Sequence, residues 1–405
     1  MSGHRQVPRL EDDRIELGAA GGRLFQVSLV IGVVSMVAAL LLGMRDGDGL
    51  TRFGHSYQVA YAWYLSLSLG ALFFVAIQHV TRASWSVVVR RLAEVMAANL
   101  IWLALLSIPL LLLAPKLLPW LSGHGHITAE LLEHKRPYLN LTFFYIRWVA
   151  YFAIWIGYAL FFWRKSLQQD ESGDPQISLS LERKSGLALM LYAVTVTLAS
   201  YDILMSMDPS WFSTMFGPYY FAGGVVSFYA VLTVLTFWLQ GQGIMKNVIH
   251  EEHLHDYGKL MFAFVFFWAY LAFSQYMLIW YANIPEETQW FLRRQENGWE
   301  WFGLTLVFGH WLLPFAGLIS RFAKRNRPML LFWAVWILVM HWVDLYWVVM
   351  PEVQPTNPMP VLTDLFCMIG LGGLWIAGLA FFARGRSLVP KRDPRLQDSL
   401  GFENA

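Results

Sequence analysis

Apolar runs of about 20 residues recur along the chain between short polar stretches, as expected of helices that cross a bilayer. They predict ten spans, at 24–44, 57–80, 92–113, 138–163, 184–207, 217–240, 257–281, 299–320, 329–350 and 362–383. The third and tenth are the plainest lipid-facing runs, Leu110 to Leu113 being an example. The fifth carries Thr195, Thr197, Ala199 and Ser200, small and hydroxyl residues that suit close helix contacts. Three parts follow: an N-terminal segment, 1–23, a polytopic membrane domain, 24–383, and a C-terminal tail, 384–405. One stretch breaks the apolar pattern. Between Ser200 and Gly217, Asp202 sits inside a helical run and Asp208 stands directly before Pro209. Proline disfavours helical geometry in the residue before it, so the fifth helix should end near Asp208. Trp211, Phe212, Met215 and Phe216 are then expected at the membrane interface, and Gly217 with Pro218 restarts the chain into the sixth helix. Gly223 and Gly224 would permit close backbone approach there.

Composition agrees with an all-α integral membrane protein. Hydrophobic residues make up 57% of the chain, charged ones only 14%, and there are 20 tryptophans. The net charge of +2 includes no basic block suited to nucleic acid. The single cysteine, Cys367, excludes Cys-x-x-Cys-His haem attachment, thiolate-held iron–sulfur clusters and an internal disulfide. If the protein takes part in redox chemistry, its covalently ligated centres would therefore lie in other subunits. No cleavable signal is evident, since the first 23 residues mix arginines with Glu11, Asp12 and Asp13. Lysine and arginine set the orientation. The terminal segments and even-numbered connections hold 21, the odd connections seven, and Arg147 and Lys259 fall inside spans. Both termini are expected in the cytoplasm, and the Ser200–Gly217 stretch at the outer surface.

Charges in hydrocarbon are costly and usually serve a task. Helical rise places Arg147 about 13 Å inward from the outer end of the fourth helix and Asp202 about 8 Å from that of the fifth. On the ninth helix His341 and Asp344 share a face at about 13 and 9 Å. Asp208 and Asp364 lie near the same rim. A second group, near the inner face, comprises His79, Glu94 and Lys259, and His310 could stand between the two. Arg147 with Asp202 can equally be a neutralising pair joining two helices, and Lys259, Glu94 and Asp364 can reach water by snorkelling. His341 beside Asp344 is the strongest functional pair, because a neighbouring carboxylate tunes and orients an imidazole. Titratable groups approaching from both faces fit a proton path: Asp202, Arg147, His341 and Asp344 outside, Glu94, Lys259 and His79 inside. A quinol slot is the competing use of the outer group, with His341 and Asp344 beside Tyr201 and Trp211. The segments His250-Glu-Glu-His253-Leu-His255-Asp256 and Gly123-His124-Gly125-His126 lack metal-site spacing and are read as solvated loops, so no metal is expected. Only His79, His310 and His341 lie in or near spans, without the paired spacing of a two-haem cytochrome. A proton-coupled secondary transporter would show paired helix breaks in two repeats, whereas Pro109 and Pro314 are expected far from the ionisable groups.

Four long strings carry a resemblance. They are Thr81-Arg-Ala-Ser-Trp-Ser-Val-Val-Val-Arg-Arg91 with Glu94, Ser206-Met-Asp-Pro-Ser-Trp-Phe-Ser-Thr-Met-Phe-Gly217, Phe273-Ser-Gln-Tyr-Met-Leu-Ile-Trp-Tyr-Ala-Asn-Ile-Pro-Glu-Glu287, and His341-Trp-Val-Asp-Leu-Tyr346. With them the chain resembles the ActF-type subunits of bacterial alternative complex III, a quinol:electron-acceptor oxidoreductase, within the NrfD/PsrC-like membrane proteins. The resemblance implies two four-helix bundles, helices two to five and six to nine, flanked by helices one and ten. It implies a bacterial cytoplasmic membrane and partners that hold the cofactors: multihaem and monohaem cytochromes c, an iron–sulfur protein, a sister subunit ActC and small membrane subunits. Within that family quinol oxidation is assigned chiefly to ActC. For the present chain the resemblance leaves a proton path, or a second site for a quinone such as menaquinone, and no redox centre of its own.

Overall fold

The computed structural model describes residues 8–45, 47, 50–123 and 128–404, so His124 and His126 of the second histidine segment lie outside the described residues. The chain is 79% helical, with no strand among the described residues. Nine helices are long and apolar enough to cross a membrane, and a bent pair makes a tenth span. They are α1 Ala19–Arg45, α2 Thr51–Val80, α3 Val87–Leu106 continued by Ile108–Leu117, α4 Leu141–Ser172 and α5 Pro175–Ile203. The second half holds α6 Phe216–Gly241, α7 Glu251–Ala282, α8 Trp299–Ile319, α9 Arg327–Val349 and α10 Leu362–Ala383.

Helices α2 to α5 pack as one four-helix bundle and α6 to α9 as a second. The bundles meet along α2 and α6, where a Cβ on Gly70 would stand 2.8 Å from the carbonyl oxygen of Gly224. Only glycine allows backbones so close. Helices α1 and α10 flank the bundles as a single pair. A Cβ on Gly373 would lie 2.5 Å from the Gly32 nitrogen. The outer face of α1, Val30 and Val34 included, is exposed as a lipid-facing surface should be.

Prolines explain the two irregular spans. Pro109 cannot donate to the carbonyl four residues back, and α3 bends by 51° beside it. Pro314 likewise withdraws a hydrogen bond from the carbonyl of His310, and the preceding turns widen into a π-helix over Leu306–Leu312. The expectation that Pro314 stands far from the ionisable groups is therefore corrected. The two breaks fall on the second helix of one bundle and the third of the other, so they are not repeat-paired.

Several ends also move. Helices α4 and α5 extend through the polar 164–183 stretch and turn only at Gly173, whose φ of +68° suits glycine. Helix α7 begins at Glu251, so His253 and His255 are helical, with His250 as the N-cap. Helix α2 begins early enough to include His55, a further buried histidine within a span.

The face carrying both chain ends is knitted together. The Asp13 carboxylate accepts from the Asn247 and Val248 backbones at 2.7 and 3.0 Å. The tail crosses both bundles: the Ser399 hydroxyl donates to the Trp85 carbonyl at 2.7 Å, and the Ser399 carbonyl meets His253 Nε2 at 3.1 Å.

Candidate functional site

The buried charges separate into two kinds. The first kind is neutralised. Asp202 receives both forks of Arg147, at 2.9 and 2.7 Å, and the Tyr151 hydroxyl at 2.8 Å. The third Arg147 nitrogen donates to the Tyr138 carbonyl at 2.8 Å, and the guanidinium lies 3.8 Å from the Tyr138 ring centre. Each Arg147 nitrogen donates and both Asp202 oxygens accept, so the pair behaves as a joint between α4 and α5.

Asp208 accepts from Arg293 and from the Ser210 backbone, the latter at 3.0 Å, which makes it a rim and helix-end residue. Arg293 reaches Glu352 at 3.4 Å and Arg294 reaches it at 2.9 Å. Arg294 also donates to the Val348 carbonyl at 2.7 Å and the Trp347 carbonyl at 3.2 Å, closing the last turn of α9. Burial pulls the Arg294 guanidinium down to about 10, so it remains charged at neutral pH. Asp364 pairs with Arg52 at 2.6 Å and accepts from the Val361 backbone at 2.8 Å, capping α10.

The expected inner group does not assemble. Glu94 is held by Arg91 at 2.9 Å and Arg90 at 3.4 Å. Those arginines continue to Asp170, at 2.9 Å from Arg91, and to Asp393 of the tail. Lys259 is on the other bundle, half exposed, with Asp256 and Asn404 as partners. His79 stacks on Phe162 with ring centres 5.6 Å apart, and its Nε2 has no partner. Sequence spacing brought Glu94 and Lys259 to one depth, and the fold assigned them to different bundles.

The second kind of buried group has no cation. Asp344 accepts from the Tyr219 hydroxyl at one oxygen and from the Trp268 indole at 3.2 Å at the other. His341 Nδ1 stands 3.9 Å from the carboxylate, too far for a hydrogen bond, and finds no partner. The other ring nitrogen of His341 meets Ser66 Oγ of the first bundle at 2.9 Å. The direct His341–Asp344 bond expected from their three-residue spacing is thus replaced by two separate sets of partners. His310, in the π-helix, lies 4.0 Å from the Trp268 ring and 6.4 Å from His341, centre to centre. Both of its ring nitrogens lack partners, and neither histidine is exposed at all. Gly223 makes the space: a Cβ there would stand 3.0 Å from the His341 ring.

Beside this centre, on the face away from the termini, is a cavity of about 470 Å³ between α7 and α8. Tyr219 and Trp268, the two donors to Asp344, form part of its wall, with Arg294, Gln275, Trp311 and Trp347. The indole N–H groups of Trp311 and Trp347 have no partner in the protein.

The residues first considered for a quinone lie elsewhere or play other parts. Tyr201 donates to the Thr214 carbonyl at 3.3 Å at the surface. Trp211 and Phe216 are buried within the protein, Trp211 stacking on Trp290 at 4.5 Å, while Phe212 is exposed. Sequence reasoning passed over Tyr219, Trp268, Ser66, Arg293, Arg294 and Glu352. For the two arginines there was a signal, a pair of adjacent cations on the face otherwise poor in them. Tyr219, Trp268 and Ser66 carried none, because aromatic and small hydroxyl residues are ordinary in packed helices.

Among the described residues no group of three or more His, Cys, Asp or Glu side chains is placed to hold a metal ion. No protein-family model matches the chain, and no curated protein matches it.

Proposed function

We propose that this chain is a membrane subunit of a quinol:electron-acceptor oxidoreductase of the alternative complex III type, contributing a proton path through its second bundle and no redox centre. The observation that carries the path is Asp344 with His341 and His310, fully buried and without a neutralising cation. Transferring a proton at Asp202 or Glu94 would break a buried ion pair; at Asp344 it would not. Toward the termini the second bundle continues with buried hydroxyls. Ser227 has no partner, and Tyr257 faces Thr236 across α6 and α7 without a well-formed hydrogen bond. Such groups are normally satisfied by water, which can relay protons. The outward half of the path would open at the α7–α8 cavity. The roles first weighed for Arg147 and Asp202 become structural on this reading.

The complex itself is supported by the four sequence strings and by the two-bundle architecture. Location in a bacterial cytoplasmic membrane, with both termini cytoplasmic, is supported by the 21 to seven division of basic residues. Cytochrome c, iron–sulfur and ActC-like partners belong to the same proposal. The test is Asp344→Asn in the assembled complex. It should abolish or sharply lower the protons moved per electron while assembly and electron transfer persist. An unchanged proton ratio would remove Asp344 from the mechanism.

The cavity favours one further reading, a quinol site on this subunit. Its volume lies within the range of small-molecule pockets. Its largely aromatic wall, Tyr219, Trp268, Phe291, Trp311 and Trp347 among it, suits a flat ring. Trp311→Ala, which removes part of that aromatic wall, should then raise the KM for quinol several-fold; an unchanged KM would count against the site.

A further inference from the structure

A second cleft, of about 290 Å³, opens between the α1–α10 pair and the termini-side ends of α3 and α6. Leu24, Val95, Val234, Trp238, Ile376 and Leu379 are among its walls, and every wall side chain is apolar or an indole. The Trp375 indole is already committed, donating to Ser68 at 3.0 Å. The cleft therefore has almost nothing to offer a polar ligand. An empty apolar void forfeits the contacts of its lining, so inside a bilayer hydrocarbon is the fitting occupant.

Magnitudes narrow the class. One turn of helix, about 10 Å across and 5.4 Å long, already exceeds the cleft volume, which argues against a partner helix. A quinone ring would leave its oxygens without partners, which argues against that headgroup. A single extended chain fits. At the termini-side end Leu17, Leu24 and Leu388 line the cleft. Basic residues stand beside them in sequence: Arg14, Arg23 and Arg386. Arg23 is exposed, and among the described residues no carboxylate pairs with it. Glu16, the nearest acid in sequence, is taken by Lys391 at 3.4 Å. Basic clusters at this depth attract anionic headgroups.

We propose that the cleft holds one acyl chain of an anionic glycerophospholipid from the leaflet on the termini face, with its headgroup beside Arg23. The lipid fills the gap left where the α1–α10 pair leans against the bundles.

The full-length protein, reconstituted with phosphatidylglycerol bearing a photoactivatable group at the end of one acyl chain, tests this. Peptides containing Val95 and Val234 should stay labelled after a detergent wash, about tenfold above the lipid-facing Val30–Val34 segment, as expected for a site favoured by roughly one decade in affinity. Ala380→Phe, which fills the cleft, should remove that labelling and leave α1 labelled; Val234→Phe, from the opposite wall, serves if the first variant does not assemble. Arg23→Gln should lower retention of the phosphatidylglycerol probe severalfold, and a phosphatidylcholine probe should wash out. Equal labelling of cleft and α1, labelling indifferent to both filling variants, equal retention of the two headgroups, or preferential labelling by an isoprenoid quinone probe would each overturn the proposal.

Discussion

Asp202 and Asp344 look alike in sequence, each a lone acid in an apolar run, and their surroundings separate them. Asp202 is bound by a bidentate guanidinium, and Asp344 by a hydroxyl and an indole, both neutral. Removing one partner of a buried pair strands the other charge, at a cost of about 3–5 kcal/mol. Asp202→Asn should therefore lower thermal stability or yield, measured by thermal unfolding in detergent, and the apolar double change Arg147→Met with Asp202→Leu should recover much of the loss. If Asp202→Asn assembles normally and abolishes proton transfer, the division drawn between the two acids is wrong. His310→Phe is expected to leave folding intact, since no hydrogen bond is lost, and to reduce proton translocation in the assembled complex.

At the scale of elements, local chain chemistry sets the irregularities that matter. The π-helix over Leu306–Leu312 puts His310 against Trp268, and Pro314 is the residue that prevents a regular turn there. Replacing it by alanine restores the missing donor. Pro314→Ala should raise stability, by up to about 3 kcal/mol if the turn regularises, and impair proton transfer by turning His310 away from His341. A gain in stability with unchanged proton transfer would show the widened turn to be incidental. The α1–α10 pair depends on glycine in the same direct way. Gly373→Val would drive a side chain into the Gly32 backbone, costing about 1–3 kcal/mol. It should lower the yield of a disulfide engineered between the two helices.

The whole molecule is closed on the termini face by the tail, and that closure has a pH signature. Burial acts to raise the Asp393 carboxyl, but the charge and hydrogen bonds of Arg90, with Arg395, outweigh it and hold the group below its usual 3.8. A carboxyl that binds its proton less readily when docked stabilises docking fully above about 3.8 and loses that contribution as pH falls through the lower docked value. Protease cleavage within 384–404 should therefore stay slow at pH 5 and accelerate only below about pH 3.8 in wild type. Asp393→Asn should be cleaved readily at neutral pH. Rapid cleavage of the wild type at pH 5 would mean that the Arg90–Asp393 contact does not hold the tail.

By itself, the sequence determined the ten spans, their approximate ends, the break at Asp208–Pro209 and the position of each polar residue along its helix, because hydrophobicity and helical rise are properties of consecutive residues. It also singled out Asp202 as the preferred titratable group, which the fold pairs with Arg147, and His341 with Asp344 as the best functional pair. Only the tertiary structure decided which polar groups meet. Glu94 and Lys259 are expected at one depth yet sit on different bundles, whereas Asp202 and Arg147, about 5 Å apart in expected depth, are in contact. The angle at which a helix faces its neighbours is set by packing across the bundle, through contacts such as Gly70 with Gly224 and Gly32 with Gly373. That packing left Asp344 among neutral donors and gave Asp202, Asp208, Asp364 and Asp393 their arginines, a distinction invisible along the chain because each of these partners lies tens or hundreds of residues away.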